Sequence, residues 1–398
     1  KMEVLVVYKE DYPWDVRVEK LAQTLKGAGH SVTVVARNRD QLPTIDENNG
    51  IAIRRLPITR RFPKFVQAAV NLPFWFNPFW LWLLLRSSRN IKKNKGVIIV
   101  RDLPLVKSGI LIGKLRTLKT VFDMAECYPE MYESAAQFSD RSLATKLLKN
   151  PRIAKHYEQK VIAQVDHIFV MIQESKERLI AMGVNEEKIS IVSNTPPIDK
   201  FKGTTHQHRE TQLRIVYVGF LSKLRGLDLL IEGAAQYIKN QKSANAIRID
   251  IIGKGAQKER LIALSNELGI SESVKIHGWL DHDEVDKLMA SANVGALTYR
   301  VCGHWNHTLP NKIFDYMLAG LPVLATEVIP IARILNETCS GVVCKDLDPT
   351  DIAEKMALLS DPERRSVLGE NGRVSIESKY NWENDARVLN ETIENIYK

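Results

Sequence analysis

Short apolar runs alternate with helix-like segments along this chain, and the alternation restricts its fold more than any other feature. Val4–Val7, Leu213–Val218 and Ile249–Ile252 are short and mostly apolar, which is typical of parallel strands buried on both faces. The segments that follow the first two, Val16–Lys26 and Leu227–Lys239, have the 3.6-residue periodicity of amphipathic helices. We therefore predict the α/β class, with doubly wound parallel sheets.

The length of the chain, 398 residues, is enough for two such domains of about 200 residues each. The polar stretch 194–212 contains two prolines and has no clear periodicity, so it is the best candidate for a linker. We predict an N-terminal Rossmann-like domain over 1–200, a C-terminal Rossmann-like domain over 201–380, and a terminal amphipathic helix over 381–398.

The segment Thr308–Ala325 predicts a loop, a short helix, a tight turn and a buried strand. Thr308 can cap a helix that starts near Leu309, and Pro310 suits the first turn, where no N–H is needed. Gly320 would end the helix. Free backbone N–H groups at the helix start, with Lys312 close by, would form an anion-binding site.

Three glycine turns follow predicted strands in the second half of the chain. Gly219 begins a loop that leads into a helix, and this loop contains Lys223 and Arg225. Gly253 and Gly278 each follow a further strand. Such turns are individually common in α/β proteins, so their order and spacing are more informative than any one of them.

Taken together, these turns and the segment 308–325 resemble GT-B glycosyltransferases, specifically the large retaining family 4 group. The resemblance extends over nearly the whole chain and is strongest from Arg214 to Val343. It implies two Rossmann-like domains facing across a cleft, with a terminal helix that crosses back to the first. It also implies that the second domain binds a nucleoside-diphosphate sugar of UDP or GDP type, and that neither a metal nor a cofactor is needed.

The resemblance assigns roles to residues of the second domain. In the family, two carboxylates eight positions apart hold the sugar and the ribose, and here His307 and Asp315 stand at those positions. The donor-binding residues that it implies are Gly219, Lys223, Arg225, Leu309, Pro310, Asn311 and Lys312 for the diphosphate, and Asp315, Gly253, Gly278 and Trp279 for the ribose and base.

The first domain would bind the acceptor. Its first loop lacks the glycines that family members often place there, so Asp15 and Arg17 are the predicted acceptor-side residues. Farther along, Ala125 stands where many relatives carry a histidine against the transferred sugar. Glu126 is then the nearest proton-accepting group, although it could equally be a solvent-facing carboxylate beside a turn. Glu126 and His307 are the candidate catalytic residues.

Basic charge is concentrated between Ile51 and Thr120. This window contains fifteen Lys or Arg and one acid, a net charge of +14, whereas the whole chain carries +9. It includes the aromatic run Leu72–Leu85, which is shorter than the roughly 20 apolar residues that a membrane span needs. We predict that segment 60–95 binds an anionic membrane surface, the alternative being a buried helix with a solvated basic face. The membrane contacts would be made by Trp75, Phe79, Trp80 and Trp82.

These features predict a glycosyltransferase that moves a sugar, with retention, from a nucleotide sugar to a lipid-linked glycan or a glycolipid. One alternative is a sugar-nucleotide epimerase of GT-B fold. Another is a catalytically silent sugar-nucleotide-binding scaffold, suggested by His307, Ala125 and Phe220 at three usual functional positions. Nucleic acid is not an expected partner, because the chain outside the basic window is acidic and contains no recognised nucleic-acid-binding module.

The remaining features concern metal ions and the cellular compartment. Four scattered cysteines without a CxxC pair are typical of a reducing compartment. Cys302, His304 and His307 are close in sequence but lack a fourth ligand at zinc-finger spacing, so no metal is predicted. The first residues form a predicted core strand rather than a signal peptide. We expect a cytoplasmic protein that is peripheral at the inner face of the membrane.

Overall fold

The computed structural model of the protein describes the whole chain except Trp14, 139–148 and 201–209. The described residues form two compact units. Unit 1 comprises Lys1–Glu133, 149–194 and Asn384–Lys398, and unit 2 comprises 134–138 and Thr195–Glu383. Part of the predicted linker, 201–209, lies outside the described residues.

Unit 1 is built on an eight-stranded sheet. Its strands are β1 (Glu3–Asp11), β2 (Ser31–Arg37), β3 (Ile45–Asn48), β4 (Ile51–Arg55), β5 (Gly96–Arg101), β6 (Lys119–Met124), β7 (His167–Val170) and β8 (Ile189–Ile191). Their order in the sheet is β3-β4-β2-β1-β5-β6-β7-β8. Neighbouring strands are parallel except for the antiparallel pair β3–β4 at the edge, which the sequence analysis did not predict.

The helices of unit 1 begin at local capping signals. Asp15 and Asn77 accept hydrogen bonds from first-turn N–H groups of the helices that begin at Val16 and Pro78. The helices in this part of the chain are α1 (Val16–Gly27), α2 (Lys64–Asn71), α3 (Pro78–Ser87), α4 (Val106–Arg116), α5 (Tyr128–Phe138), α6 (Pro151–Ile162) and α7 (Gln173–Ala181).

Unit 2 is built on a six-stranded, wholly parallel sheet. Its strands are β9 (Leu213–Val218), β10 (Ile247–Ile252), β11 (Val274–Gly278), β12 (Val294–Leu297), β13 (Val323–Thr326) and β14 (Gly341–Cys344). The order is β11-β10-β9-β12-β13-β14, so the direction of winding reverses between β9 and β12. In unit 1 the corresponding reversal lies between β1 and β5. Open α/β sheets bind their ligands at the carboxyl ends of the strands at such points.

The helices of the second half of the chain alternate with these strands and then close it. They are α8 (Leu227–Gln241), α9 (Lys258–Glu267), α10 (His282–Ser291), α11 (Gly303–Asn306), α12 (Lys312–Leu318), α13 (Ile329–Thr338), α14 (Pro349–Leu359), α15 (Pro362–Ser378) and α16 (Trp382–Asn395). From Asn384 onward the chain belongs to unit 1. None of the helices in the described parts of the chain is both long enough and apolar enough to cross a bilayer.

The helix predicted to start near Leu309 begins instead at Lys312. Thr308 and Leu309 are 3% and 5% exposed and belong to the packed loop before the helix, so Thr308 does not act as its cap. Asn311 is the N-cap residue, and its side chain makes no capping hydrogen bond. The prediction of an early start capped by a side chain was wrong, because Thr308 and Leu309 are packed into the buried loop and do not form the first turn of the helix.

The aromatic run combines the two interpretations that the sequence allowed. It forms a loop followed by α3, on which Trp80 and Leu83 are 0% and 3% exposed and belong to the core. Phe79 and Trp82, on the other side of the helix, are 42% and 47% exposed. The prediction that Trp80 contacts a membrane was therefore wrong, because its indole is enclosed by the core.

Candidate functional site

The loops that follow β9 and β12 pack against each other in unit 2. The loop after β9 passes through one 3₁₀ turn, Lys223–Arg225, to Gly226 and helix α8. Gly226 has a φ of 61°, and a Cβ atom there would lie 1.9 Å from the carbonyl oxygen of Thr298. A side chain is therefore excluded at this position, and the backbone of one loop fixes the position of the other.

Arg225 is held by two aromatic residues that follow β12. The centre of its guanidinium lies 4.7 Å from the ring centroid of Tyr299 and 4.6 Å from that of Trp305, within cation–π range. Its Nη1 also donates to the Tyr299 hydroxyl. The Trp305 Nε1 donates to the Leu224 carbonyl at 3.2 Å, which fixes the indole against the loop. The cation thus has a defined position at the reversal point of the sheet.

The buried tyrosines and the buried histidine near Arg225 are neutral at physiological pH. Burial raises the pKa of Tyr217, Tyr299 and Tyr316 above the usual tyrosine value. Burial, followed by the charge of Arg225, lowers the pKa of His304 to about 4. Arg225 thus lies beside buried, uncharged tyrosine and histidine side chains, and electrostatic interactions are stronger next to such buried groups than in water.

Helix α12 is hydrogen-bonded to the end of β9. The Val218 N–H donates to the Tyr316 hydroxyl at 3.2 Å, and Tyr316 is fully buried. One turn earlier, the Lys312 Nζ donates to Asp315 Oδ2 at 2.9 Å. Asp315 is 8% exposed, whereas the side chain of Lys312 is 34% exposed. The structure thus places the predicted pair Lys312 and Asp315 on a helix anchored to the strand that precedes Gly219.

The three predicted glycines lie side by side at the carboxyl ends of adjacent strands. The Gly219 N–H donates to the Ile252 carbonyl at 3.0 Å, and the Gly253 N–H donates to the Gly278 carbonyl at 2.7 Å. Gly253 has a φ of 148°, and a Cβ atom there would lie 1.7 Å from the Gly219 carbonyl oxygen. The close approach of these backbones explains why glycine is needed at Gly253.

Two large aromatic side chains beside these glycines are exposed. Trp279 is 72% exposed and Phe220 is 61% exposed. The Lys254 Nζ lies 5.0 Å from the ring centroid of Trp279. An exposed indole next to a cation, at the strand ends of an open α/β sheet, is a suitable surface for stacking a planar ring system.

His307 lies at the end of α11 and before the buried loop residues Leu309 and Pro310. Its Nδ1 lies 2.8 Å from the Gly303 carbonyl oxygen. Because a carbonyl oxygen only accepts, Nδ1 carries the hydrogen of this bond. The ring therefore has a fixed orientation within unit 2, although it cannot replace the negative charge of the carboxylate implied by the resemblance.

In unit 1, polar side chains gather where β1 and β5 end. Asp15 Oδ2 accepts hydrogen bonds from Arg101 Nη2 and from the Tyr8 hydroxyl, each at 3.2 Å. Its Oδ1 accepts from the Val18 N–H at 2.8 Å and caps α1. Burial acts to raise the pKa of Asp15, but Arg101 and the capping N–H outweigh it and lower the pKa. Asp15 is thus an ionised carboxylate at this edge of the sheet.

Arg17 has a structural role that differs from the predicted acceptor binding. Its side chain is 2% exposed, and its Nε donates to Asp123 Oδ2 at 2.9 Å. Its Nη1 donates to the Ser193 carbonyl at 3.2 Å. Asp123, at the end of β6, is fully buried. The guanidinium is used inside unit 1 to join three segments, so we remove Arg17 from the acceptor-side residues.

Asp102 is a candidate that the sequence analysis missed. It directly follows β5, is 5% exposed, and has φ and ψ of 67° and 164°, a strained conformation for a residue with a side chain. Burial raises the pKa of Asp102, and Arg101 opposes that increase. The position of Asp102 at a strand end beside the reversal point was available in the sequence and could have identified it.

Glu126 is half-buried and lies two residues after β6, with Ala125 between them at 5% exposure. Its carboxylate is close enough to affect the titration of Tyr128, whose pKa is raised chiefly by burial and then by Asp102, Tyr132 and Glu126. Glu126 belongs to unit 1 and His307 to unit 2.

Comparison with known protein families accounts for both units. Residues 15–195 match the family described as Glycosyl transferase 4-like domain, and residues 200–375 match the family described as Glycosyl transferases group 1. The chain belongs to the group 1 glycosyltransferases. The family predicted from the turns and from segment 308–325 is thereby confirmed.

Solved structures similar to this group 1 glycosyltransferase confirm the GT-B fold class. Sucrose-phosphate synthase from Thermosynechococcus elongatus has a TM-score of 0.78 and 16% identity, and the alignment covers 100% of this chain and 99% of that chain. Anabaena HepE in complex with UDP has a TM-score of 0.72 and 14% identity, with coverage of 99% and 100%.

Matches to curated relatives cover less of this chain than the structural alignments do. The amylovoran biosynthesis glycosyltransferase AmsK of Erwinia amylovora is 25% identical over 223 residues, which are 56% of this chain and 54% of AmsK. The chain thus matches about half the length of such relatives. In the described residues of the glycosyltransferase, no group of three or more His, Cys, Asp or Glu side chains is placed to hold a metal ion.

Besides Asp102, the sequence analysis missed Tyr299 and Trp305 as functional candidates. They lie more than 70 residues from Arg225 in the chain and reach it only through the packing of the loop after β12. The sequence feature that could have identified Tyr299 is its position two residues beyond the end of β12, at the reversal point of the sheet.

Proposed function

We propose that this protein transfers a glycosyl group from a nucleoside-diphosphate sugar to an acceptor hydroxyl, with retention of configuration and without a divalent metal. The observation that carries the proposal is Arg225, a cation fixed between Tyr299 and Trp305 at the reversal point of the unit 2 sheet. Breaking the bond between a sugar and a diphosphate develops negative charge on the leaving oxygens. A preorganised cation at that position stabilises this charge in the transition state.

The proposed donor site extends from Arg225 to α12 and to the glycine turns. Lys312 would provide a second cation for the diphosphate, and Asp315, which orients its ammonium group, would accept hydrogen bonds from the ribose. Trp279 would stack on the base. The structural neighbour HepE has been solved with UDP and with UDP-glucose, and a relative from Corynebacterium glutamicum is named as a GDP-mannose-dependent mannosyltransferase. We therefore propose a donor of UDP or GDP type.

Thermal shift against a panel of UDP-, GDP-, ADP- and TDP-sugars would test donor binding. A ligand present at about 100 times its Kd stabilises the native state by about 2.7 kcal/mol, so the correct donor should raise the Tm clearly. Mass spectrometry of the acceptor distinguishes transfer from epimerisation, which leaves its mass unchanged. Absence of any shift and of any product would contradict the proposal, as would loss of transfer on adding EDTA.

The proposed mechanism uses the departing diphosphate as the base. With Ala125 at the position where many relatives have a histidine, the leaving oxygen would take the proton of the acceptor hydroxyl on the face from which it departs. The new bond then forms on that same face, and the anomeric configuration is retained. Glu126, half-buried beside the end of β6, would orient the acceptor or the sugar and would form no covalent bond with it.

We expect Glu126→Gln to lower kcat by less than about 100-fold, because essential proton transfer typically contributes about 10²–10⁴-fold and positioning contributes less. The measurement is the steady-state rate of sugar transfer, with the donor that the thermal-shift panel identifies. Glu130→Gln, a half-buried neighbour on α5, is the matched control and should retain full activity. A covalent sugar adduct on Glu126 would refute this mechanism, and an unchanged kcat in Glu126→Ala would remove Glu126 from it.

We further propose that unit 1 binds an anionic membrane surface, where a lipid-linked acceptor would be found. The exposed large apolar side chains of segment 60–95 include Phe65, Phe76, Phe79 and Trp82, at 74%, 58%, 42% and 47%. Arg86 lies 5.3 Å from the Trp82 ring. Aromatic residues mixed with exposed basic ones are typical of monotopic attachment, each cation contributing about 1 kcal/mol near an anionic lipid surface.

Trp82→Ser should weaken binding to vesicles containing anionic lipid by roughly 5- to 10-fold, because burial of a large apolar side chain contributes about 1.5–3 kcal/mol and Trp82 is already half-buried. Binding should also weaken as salt rises, since the Debye length at 0.15 M is about 8 Å. Vesicle sedimentation measures both effects. Trp279→Ser, another exposed tryptophan but in unit 2, is the control. Equal binding by both variants would contradict the proposed surface.

A further inference from the structure

A cavity of about 380 Å³ lies within unit 1, beside the aromatic run. Its walls come from the loop 72–76, from residues 103–104 after β5, and from helices α5 and α6. The volume falls within the range of about 300–1,000 Å³ that is typical of small-molecule sites. At about 30 Å³ for each water-sized group, this volume corresponds to roughly a dozen methylene groups.

The walls of the cavity are mainly hydrocarbon. Phe74 and Phe76 stack with ring centroids 5.4 Å apart on one side, and Tyr128 and Tyr132 meet edge to face at 5.5 Å on another. The Tyr157 hydroxyl donates to the Pro104 carbonyl, so Tyr157 contributes its ring, and not a free hydroxyl group, to the cavity wall. The aromatic contacts define the shape of the cavity, and an apolar chain would fit it better than a polar sugar.

Polar and charged residues adjoin the lining of the cavity. Leu103 directly follows Asp102, and Tyr128 lies two residues from Glu126, so part of the lining is next in the chain to the polar edge where the acceptor is proposed to bind. Lys149, another lining residue, is exposed. The Lys107 Nζ lies 3.6 Å from the ring centroid of Trp75, which also lines the cavity. These cations are complementary to a phosphate.

We propose that this cavity binds the hydrocarbon chain of a lipid phosphate that carries the acceptor, with the phosphate at Lys107 and Lys149. The inference rests on the proposed function, since it names the class of acceptor for the same unit 1 edge. It differs from membrane attachment, because the chain would leave the bilayer and enter the protein between α5 and α6.

Calorimetry of the full chain with dodecyl phosphate, below its micelle concentration, tests the cavity directly. We expect saturable binding of dodecyl phosphate and much weaker binding of butyl phosphate and of inorganic phosphate. Ile153 lines the mouth and is 65% exposed, so Ile153→Asp should fold normally. It should weaken binding by about tenfold or more, because it places an unpaired charge against both the chain and the phosphate.

The matched control is Leu115→Asp, since Leu115 is 66% exposed on α4 of the same unit and does not line the cavity. It should bind dodecyl phosphate like the wild type, as should Trp82→Ser. Ala154→Phe, which fills the interior, is a second test and should abolish binding. The inference is overturned if the wild type does not bind dodecyl phosphate, or if Ile153→Asp and Leu115→Asp bind it equally, which would indicate surface adsorption.

Donor binding and transfer to a water-soluble acceptor, measured on the same variants, separate this inference from the proposed function. If the donor is used while the cavity variants bind dodecyl phosphate like the wild type, the cavity inference alone fails. If dodecyl phosphate binds and the variants respond as expected but no nucleotide sugar is bound or used, the proposed function fails, and the cavity remains a lipid-phosphate site.

Discussion

Replacing Arg17 with methionine should lower the free energy of unfolding of unit 1 by about 3–5 kcal/mol. The guanidinium and the Asp123 carboxylate are 2% and 0% exposed and form a bidentate pair. Methionine leaves the carboxylate buried without its counter-charge and leaves the Ser193 carbonyl without the donor that it has in the native protein. Urea denaturation followed by circular dichroism measures the loss.

The double variant Arg17→Met/Asp123→Leu provides the sharper test. Removing both charges removes the unpaired group, so the stability should recover most of what the single variant lost. Lys119→Met is the matched control, because Lys119 pairs with Asp166 at 2.9 Å with both side chains about one-third exposed, and exposed pairs contribute about 0–1 kcal/mol. A cost below 1 kcal/mol for Arg17→Met would show that the buried pair is not structural.

Arg225→Ala should weaken donor binding by about 10- to 150-fold, because a hydrogen bond to a charged group contributes about 1.5–3 kcal/mol. The fixed position of the guanidinium between two rings means that little side-chain entropy is lost when the diphosphate binds. Calorimetric titration with the donor identified by thermal shift measures the change.

Two further variants show whether the charge or the packing of Arg225 matters. Arg225→Lys keeps the charge but loses the planar group that stacks on Tyr299 and Trp305, so it should recover only part of the affinity. Arg260→Ala removes an arginine of unit 2 whose side chain is 61% exposed, and donor affinity should not change. If Arg225→Ala binds the donor like the wild type while remaining folded, the diphosphate does not bind at this position.

Most of the fold followed from local patterns in the sequence. Strand β9 has the predicted bounds, Leu213–Val218, and β1 differs from its prediction only by extending to Glu3 and Asp11. Buried parallel strands require apolar runs, which a single sequence displays directly. Strand β3 was missed because its residues, Ile45–Asn48, are mostly polar and exposed, so they lack that pattern.

The surroundings of Arg225 were predicted in part, for a related reason. Glycines such as Gly253 are required by local backbone geometry and can be recognised from the turn that they form after a strand. Arg225 was found because it lies in such a turn. Tyr299 and Trp305 were not, because their contact with Arg225 depends on how the loops after β9 and β12 pack, and those loops are far apart in sequence.

The sequence by itself predicted several of the buried strands and the glycine turns of unit 2, because hydrophobic periodicity and backbone geometry are local properties. Only the tertiary structure decided how individual side chains are used. Trp80 and Trp82 are two residues apart on α3, yet one is core and the other is half-exposed. Arg17 is a charged residue that the fold encloses with Asp123. Burial depends on every neighbouring segment at once, and that information is not local.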